Sequence, residues 1–205
     1  MSDVTRVNMK VTTIGDGAVG KTSILTSYTY KNCPDKYDPT VFDTYVASIE
    51  FKTTKRNFFI SLTLADTAGQ EDYEALRHLC YPGTDIFLIT FALNDRQSFT
   101  NIKSKWARDV FDPAKVKSSL GCPIIIVGNK LDLRNGGTPN CVTREEGESL
   151  VNVLKEMAPK DTNITYMESS ATEYIGIKEI FDSAVRHQIA QIDASRPSKS
   201  KCSIL

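Results

Sequence analysis

Neither sign of charge prevails in this chain: 25 Lys and Arg face 25 Asp and Glu over 205 residues, for a formal net charge of zero. Without a cationic surplus there is no electrostatic reason to expect a nucleic-acid partner. Long apolar runs are missing, so no segment is expected to cross a bilayer, and Met1-Ser2-Asp3-Val4-Thr5 lacks the basic-then-apolar layout of a secretory signal. Cysteine is sparse: five residues (33, 80, 122, 141, 202), odd in number and scattered, fit reduced thiols in a cytosol rather than a disulfide framework or a zinc site. The histidines, His78 and His187, lack any constellation that suggests catalysis or metal binding. Internal repeats are absent as well. What remains is enough length for one domain with a substantial core and a short tail.

Against this background one stretch stands out. Gly15-Asp16-Gly17-Ala18-Val19-Gly20-Lys21-Thr22 places two glycines with four residues between them ahead of Lys and Thr. A strand-like run (Val7, Met9, Val11, Ile14) precedes it and a helix-like run (Ile24, Leu25, Tyr28) follows, the strand-loop-helix context that a phosphate-binding loop requires. Glycines open backbone conformations closed to other residues, so successive amides can turn inward on phosphate oxygens at a helix start, where the dipole favours negative charge. Lys21 is then placed to reach the outer phosphates, and the Thr22 hydroxyl, beside Ser23, to ligate a magnesium ion that also holds phosphate oxygens.

Phosphates do not identify a base. The apolar run Pro123 to Val127 reads as a buried parallel strand, and Gly128-Asn129-Lys130-Leu131-Asp132 stands at its carboxyl end, where ligands of open α/β sheets bind. The Asp132 carboxylate, an acceptor only, can take hydrogen bonds from both N1 and N2 of guanine; adenine would leave it unpaired. Ser169-Ser170-Ala171 follows another strand (Ile164 to Met167) and can offer an amide to guanine O6. Between these motifs, Asp66-Thr67-Ala68-Gly69-Gln70 follows the strand Phe58 to Leu64: Asp66 can hold magnesium through water, the Gly69 amide can sense a γ-phosphate, and Gln70 can orient an attacking water.

Together with Tyr37-Asp38-Pro39-Thr40-Val41-Phe42-Asp43, with Glu71-Asp72-Tyr73 after Gln70, and with the terminal Cys202-Ser203-Ile204-Leu205, these motifs make the chain resemble a Ras-superfamily small GTPase of the Rho family over nearly its whole length. The resemblance implies a P-loop G domain (residues 1–193) built on a mostly parallel, doubly wound six-stranded sheet with one antiparallel edge strand, followed by a basic tail (194–205). It implies a GTP-on, GDP-off switch that signals to the actin cytoskeleton through formin- or kinase-type effectors. In that family Thr40 ligates magnesium only when the γ-phosphate is present, and Tyr37 covers the phosphates. Exchange factors, activating proteins and a dissociation inhibitor are the implied regulators of a monomer. The terminal pattern implies geranylgeranylation of Cys202, with Arg196, Lys199 and Lys201 as a modest second signal for an anionic leaflet. The implied location is the cytoplasmic face of the plasma membrane, with a cytosolic pool.

The rest of the chain agrees with alternating strands and helices. Tyr45, Ala47, Ile49 and Phe51 alternate with polar positions, as do Ile60, Leu62 and Leu64, which predicts an antiparallel hairpin at a sheet edge. Asp72 to Leu79 is expected to be a mobile helix and Ile86 to Leu93 a buried strand. Ser98 reads as the N-cap of a helix with the apolar face Phe99, Ile102, Trp106 and Val110, Trp106 being a core residue. Thr143 with Glu146 forms a capping box for a helix carrying Leu150, Leu154 and Met157. A last helix places Ile177, Ile180, Phe181, Ala184, Gln188 and Ile189 on one face.

Three departures from the family stand out. Cys33 occupies the position of an aromatic that packs against guanine and offers much less surface, so nucleotide exchange is expected to be fast unless Tyr30, Lys130 or the loop compensates. Only Asn135 to Val142 stands where Rho proteins carry a helical insert. Ala65 and Asp38 replace residues that steer the choice of regulators. Two rivals remain at this point: a P-loop kinase using ATP, which the guanine-suited Asn129, Lys130 and Asp132 disfavour, and a GTP-binding scaffold without hydrolysis, which the intact Gly17 and Gln70 disfavour.

Overall fold

The computed structural model describes residues 4–33, 40–53, 56–116 and 122–195, so Tyr37, Asp38 and the tail with Cys202 lie outside the described residues. Six strands, β1 (Val4–Gly15), β2 (Phe42–Lys52), β3 (Asn57–Thr67), β4 (Ile86–Ala92), β5 (Ile124–Asn129) and β6 (Ile164–Glu168), form one sheet in the order β2-β3-β1-β4-β5-β6. Only β2 runs antiparallel, paired with β3 at the edge; every other neighbouring pair is parallel. This is the expected doubly wound sheet. Its order turns around at β1, which puts the carboxyl ends of β1 and β4 at the crevice where such sheets take ligands.

The residues of β4 and β5 are buried throughout, because helices cover both faces of a parallel sheet. Successive side chains nevertheless divide between two cores. Leu88, Ile125 and Val127 face Ile24 and Leu25 of α1 (Lys21–Tyr30) and Ile177, Ile180 and Phe181 of α7 (Ile177–Ser195). Phe87, Ile89, Ile124 and Ile126 face the other way. They meet Ile102, Trp106 and Val110 from one long helical segment, and Leu150, Val151 and Leu154 of α6 (Arg144–Met157). That long segment comprises α3 (Arg96–Asn101), a π-helical stretch (Ile102–Trp106) and α4 (Ala107–Phe111). A 3-10 turn (Glu71–Tyr73) leads into α2 (Glu74–Cys80), and α5 (Leu131–Asn135) follows β5.

Several expectations need correction. The first cap of the long segment is Asp95, not Ser98: the Asp95 carboxylate accepts from the Gln97 and Ser98 amides at 3.0 and 3.3 Å. Ser98 lies one turn inside, where its hydroxyl donates back to the Asp95 carbonyl and accepts from Ala92 N–H. On α7, Val185 is buried where Gln188 was expected; Gln188 reaches Asp85 at 3.4 Å instead. Phe99 and Met157 are only partly buried at the rim of the second core. Helix α7 continues to Ser195, past the expected boundary at residue 193.

His78 is not isolated. Its ring lies between Glu74 of α2 and Asp109 of α4, at 3.9 and 3.0 Å, and the Lys115 ammonium pairs with both carboxylates. Burial alone would raise the Asp109 carboxyl, but hydrogen bonds from Lys115 and His78 outweigh it and hold the pKa below the usual range. The four side chains tie α2 to the helix beside it.

The Thr143 capping box forms as expected: Glu146 N–H donates to the Thr143 hydroxyl at 3.2 Å, and Thr143 N–H donates to the Glu146 carboxylate at 2.8 Å. Thr143→Ala should therefore lower unfolding stability by about 1 kcal/mol in urea titration.

Candidate functional site

The phosphate-type loop is built by close approaches that admit no side chain. A Cβ on Gly15 would stand 2.1 Å from the Thr90 carbonyl oxygen of β4, and one on Gly20 would stand 2.3 Å from the Asn129 amide nitrogen. Gly20 also has φ +94°, which glycine alone adopts at little cost. Lys21 opens α1 from a buried position, and its Nζ donates to the Gly15 and Asp16 carbonyls at 3.0 and 2.7 Å. Burial pushes its pKa down to about 8 against the pull of Asp66 and Asp16. An ammonium out of water with carbonyls as its hydrogen-bond partners is a site that calls for an anion.

Beside it, Thr22, Thr40 and Asp66 come together from α1, the start of the β2 segment and the end of β3. The Thr22 hydroxyl donates to Asp66 Oδ2 at 2.6 Å and lies 2.9 Å from the Thr40 hydroxyl. Asp66 is fully buried, and among the described residues its Oδ1 has no hydrogen-bond partner. Burial raises its pKa even against the Thr22 hydrogen bond and the nearby Lys21 charge. Two hydroxyls and a carboxylate with one orphaned buried oxygen are a hard, oxygen-only donor set, and they fit Mg2+.

Lys21, Thr22 and Thr40 border one cleft of about 670 Å³, lined also by Gly17, Ala18, Gly20, Ser23, Gly69, Gln70 and Lys130, with Asp66 buried behind Thr22. Gly69 is pressed against the loop: a Cβ there would sit 2.4 Å from Gly17 N. Gln70 is exposed in the cleft, and its carbonyl accepts from Arg77 at 2.5 Å. Arg77 itself is fully buried, donates also to the Ala68 carbonyl, and lies over the Trp106 ring.

On the other side, Asp132 and Ser170 meet directly: the Ser170 hydroxyl donates to Asp132 Oδ1 at 2.6 Å. Lys130 lines the cleft in a left-handed conformation, φ 65°. Asn129 donates to the Val19 carbonyl at 3.0 Å and accepts from the Ser169 hydroxyl at 3.1 Å, so it joins the two loops across the sheet. Ala171 is buried, and its carbonyl accepts from the Ser27 hydroxyl of α1.

Two participants escaped sequence reasoning. The Asp16 carboxylate turns away from the loop and accepts from Asn101 at 2.6 Å and from the Trp106 indole at 2.7 Å. Trp106 is core, as expected, yet its N–H is also an anchor. An acidic residue inside an anion-binding loop must find donors away from the anion, and that was the available signal.

The family profile described as "Ras family" matches residues 10–190. The Drosophila melanogaster protein named "Ras-like GTP-binding protein RhoL" is 39% identical over 197 residues, covering 96% of this chain and 94% of that protein. The chain belongs to the Rho branch of the Ras family. The Entamoeba histolytica protein named "Rho-related protein racC" is likewise 39% identical, over 202 residues and 97% of each chain. As a Rho-branch GTPase it binds GTP and GDP and converts GTP and water to GDP and phosphate. The connection after α5 carries no helix: residues 136–143 form turns and irregular backbone before α6 begins.

Trp106→Phe keeps an aromatic side chain but deletes the N–H donor and one fused ring, leaving one Asp16 oxygen unpaired and the core less filled. It should cost about 1–2 kcal/mol in chemical denaturation and speed nucleotide loss, read by release of a fluorescent GDP.

Proposed function

We propose that this GTPase is a two-state switch in which Thr40 and Gln70 sense and end the triphosphate state. The observation that carries the reading is the convergence of Thr22, Thr40 and Asp66 beside Lys21 at the head of the cleft that Gln70 enters. In this reading the amides of Gly15 to Ser23 cradle the phosphates, and Lys21 meets the outer two as a cation. Thr22, Thr40 and Asp66 hold Mg2+, which when bound neutralises charge on the β- and γ-phosphates. The Gly69 amide faces the γ-phosphate. Gln70 orients a water that attacks γ-phosphorus, and the bond to the bridging oxygen breaks with its electron pair leaving on GDP. Once the γ-phosphate is gone, Thr40 and Gly69 lose a partner each and their segments relax.

At the base, Lys130, Asp132, Ser170 and Ala171 bind guanine, the Ser170 hydroxyl keeping the Asp132 carboxylate aimed. Arg77, the nearest arginine in sequence to Gln70, is held by the Ala68 and Gln70 carbonyls. Intrinsic turnover is therefore slow, and an arginine from an activating protein accelerates it on the order of 10³- to 10⁵-fold. The exposed Val41, Phe42 and Val46 next to Thr40, with Leu76 and Leu79 on α2, support docking of effectors of the formin or kinase type. Exchange factors and a dissociation inhibitor complete the set. We further propose signalling to the actin cytoskeleton, and geranylgeranyl anchoring of a monomer through Cys202 at the cytoplasmic face of the plasma membrane, with a cytosolic pool.

In single-turnover assays Gln70→Leu should slow GTP hydrolysis at least tenfold while GTP stays bound, and excess ATP should fail to displace GTP. Hydrolysis insensitive to Gln70→Leu, or displacement by equimolar ATP, overturns this assignment.

A further inference from the structure

The far end of α1 is fastened to the base-side loop in three places. The Ser27 hydroxyl donates to the Ala171 carbonyl at 2.6 Å, the Tyr28 ring stacks on Phe181 with centroids 3.9 Å apart, and the Lys31 ammonium lies 4.3 Å from the Tyr174 ring centroid while donating to its hydroxyl. The first two contacts are buried or half-buried packing between a helix and the core. The third is different in kind.

Lys31 and Tyr174 both adopt left-handed backbone, φ 57° each, a conformation disfavoured for residues with a side chain. Such geometry persists only where surrounding contacts fix it. Lys31 is fixed by its N–H donating to the Ser27 carbonyl at 3.0 Å as the cap of α1. Tyr174 is fixed by the paired Ser170–Ile175 backbone hydrogen bonds, 3.0 Å each, that close the loop carrying Ser170 and Ala171. The two side chains thus join the residue that feeds the segment toward Thr40 to the loop that aims Asp132. Cys33, two residues on, packs half-buried on the same core as Tyr174 and Ala171 but brings only a thiol's surface. Lys31 is exposed and Tyr174 half-buried, so the contact can open without disturbing the core.

We propose that Lys31 and Tyr174 form a latch between the end of α1 and the Ser170–Ile175 loop, and that opening this latch governs how fast guanine nucleotide leaves. The inference rests on the guanine-binding reading above. A bound nucleotide stretches from the phosphate loop at the start of α1 to Asp132, and the base is released when the end of α1 and the Ser170–Ile175 loop part. Lys31 and Tyr174 are positioning residues; they hold the two walls and touch neither phosphate nor metal ligand. Cation–π attraction and the hydrogen bond to the hydroxyl together correspond to an expected change of about tenfold, or about 1.4 kcal/mol.

Release of preloaded fluorescent GDP from the full chain tests this, with Lys31→Met, Tyr174→Ala, Tyr174→Phe and the Lys31→Met/Tyr174→Ala pair. Each of Lys31→Met and Tyr174→Ala should speed release about tenfold, Tyr174→Phe less, and the double variant no more than the faster single, because each deletion removes the same contact. The factor should persist when EDTA strips divalent cations, since the latch acts on the base and not the phosphates. Unchanged rates, or accelerations that multiply in the double variant, overturn the latch while leaving guanine binding intact. A wild-type chain that retains no guanine nucleotide overturns the binding reading and the latch with it. Should Tyr174→Ala fail to fold, Lys31→Met and Tyr174→Phe decide the question alone.

Discussion

A buried ammonium beside a buried carboxylate, neither fully satisfied, is the constraint around which this molecule is arranged. Lys21 lies against two loop carbonyls and Asp66 keeps one oxygen without a partner, both beneath the carboxyl edge of the sheet. Lys21 faces the cleft, and the Asp66 oxygen is shut away behind it. A structure that tolerates this must be rigid around the loop, and four elements supply the rigidity: the Thr90 carbonyl against Gly15, the Asn129 amide on Val19, the Asn101 and Trp106 donors on Asp16, and Gly69 against Gly17. A ligand of opposite charge distribution, anionic oxygens with a divalent cation, relieves both residues at once.

The same economy shapes the segment after Gln70. Arg77 is buried with its Nε and Nη2 unpartnered, held by two carbonyls and a tryptophan face, so the residues between Gly69 and α2 hang from one guanidinium. Lower on the helix, Glu74 and His78 engage Asp109 and Lys115. Meanwhile Leu76 and Leu79 face solvent. The helix is thus anchored on one side by polar contacts that can be exchanged and offers apolar surface on the other, a combination suited to an element that changes position.

What could be read from the chain alone was whatever is encoded locally. The glycine spacing around Lys21 and the uninterrupted apolar runs of β4 and β5 announce themselves within a dozen residues, as does the reciprocal Thr143–Glu146 cap. So do the motif residues Thr22, Asp66 and Asp132, whose chemistry follows from type and order. The anchors did not announce themselves, because they join positions far apart in sequence: Trp106 to Asp16, Asn129 to Val19, Asp109 to His78. Asp95 took the cap from Ser98 because β4 ends at Ala92 and the helix starts within a few residues, so Asp95, extended with φ −128°, is the last residue before it. Asn129 reads as a base contact from its motif; that its amide also joins the Val19 carbonyl to the Ser169 hydroxyl could not be read from type and order.

The position of β1 has a consequence for how the chain comes into being. It is a central strand whose partners are made much later: Val4 pairs with Asn57, and Val11 with Ile86, about 75 residues downstream. At ribosomal speeds of roughly 5–20 residues per second, a central strand with both edges open waits several seconds for its neighbours. Parallel pairings of this span are intrinsically slow to close. The nascent chain therefore passes through an interval in which a central strand, buried over its second half in the finished fold, has neither of its partners.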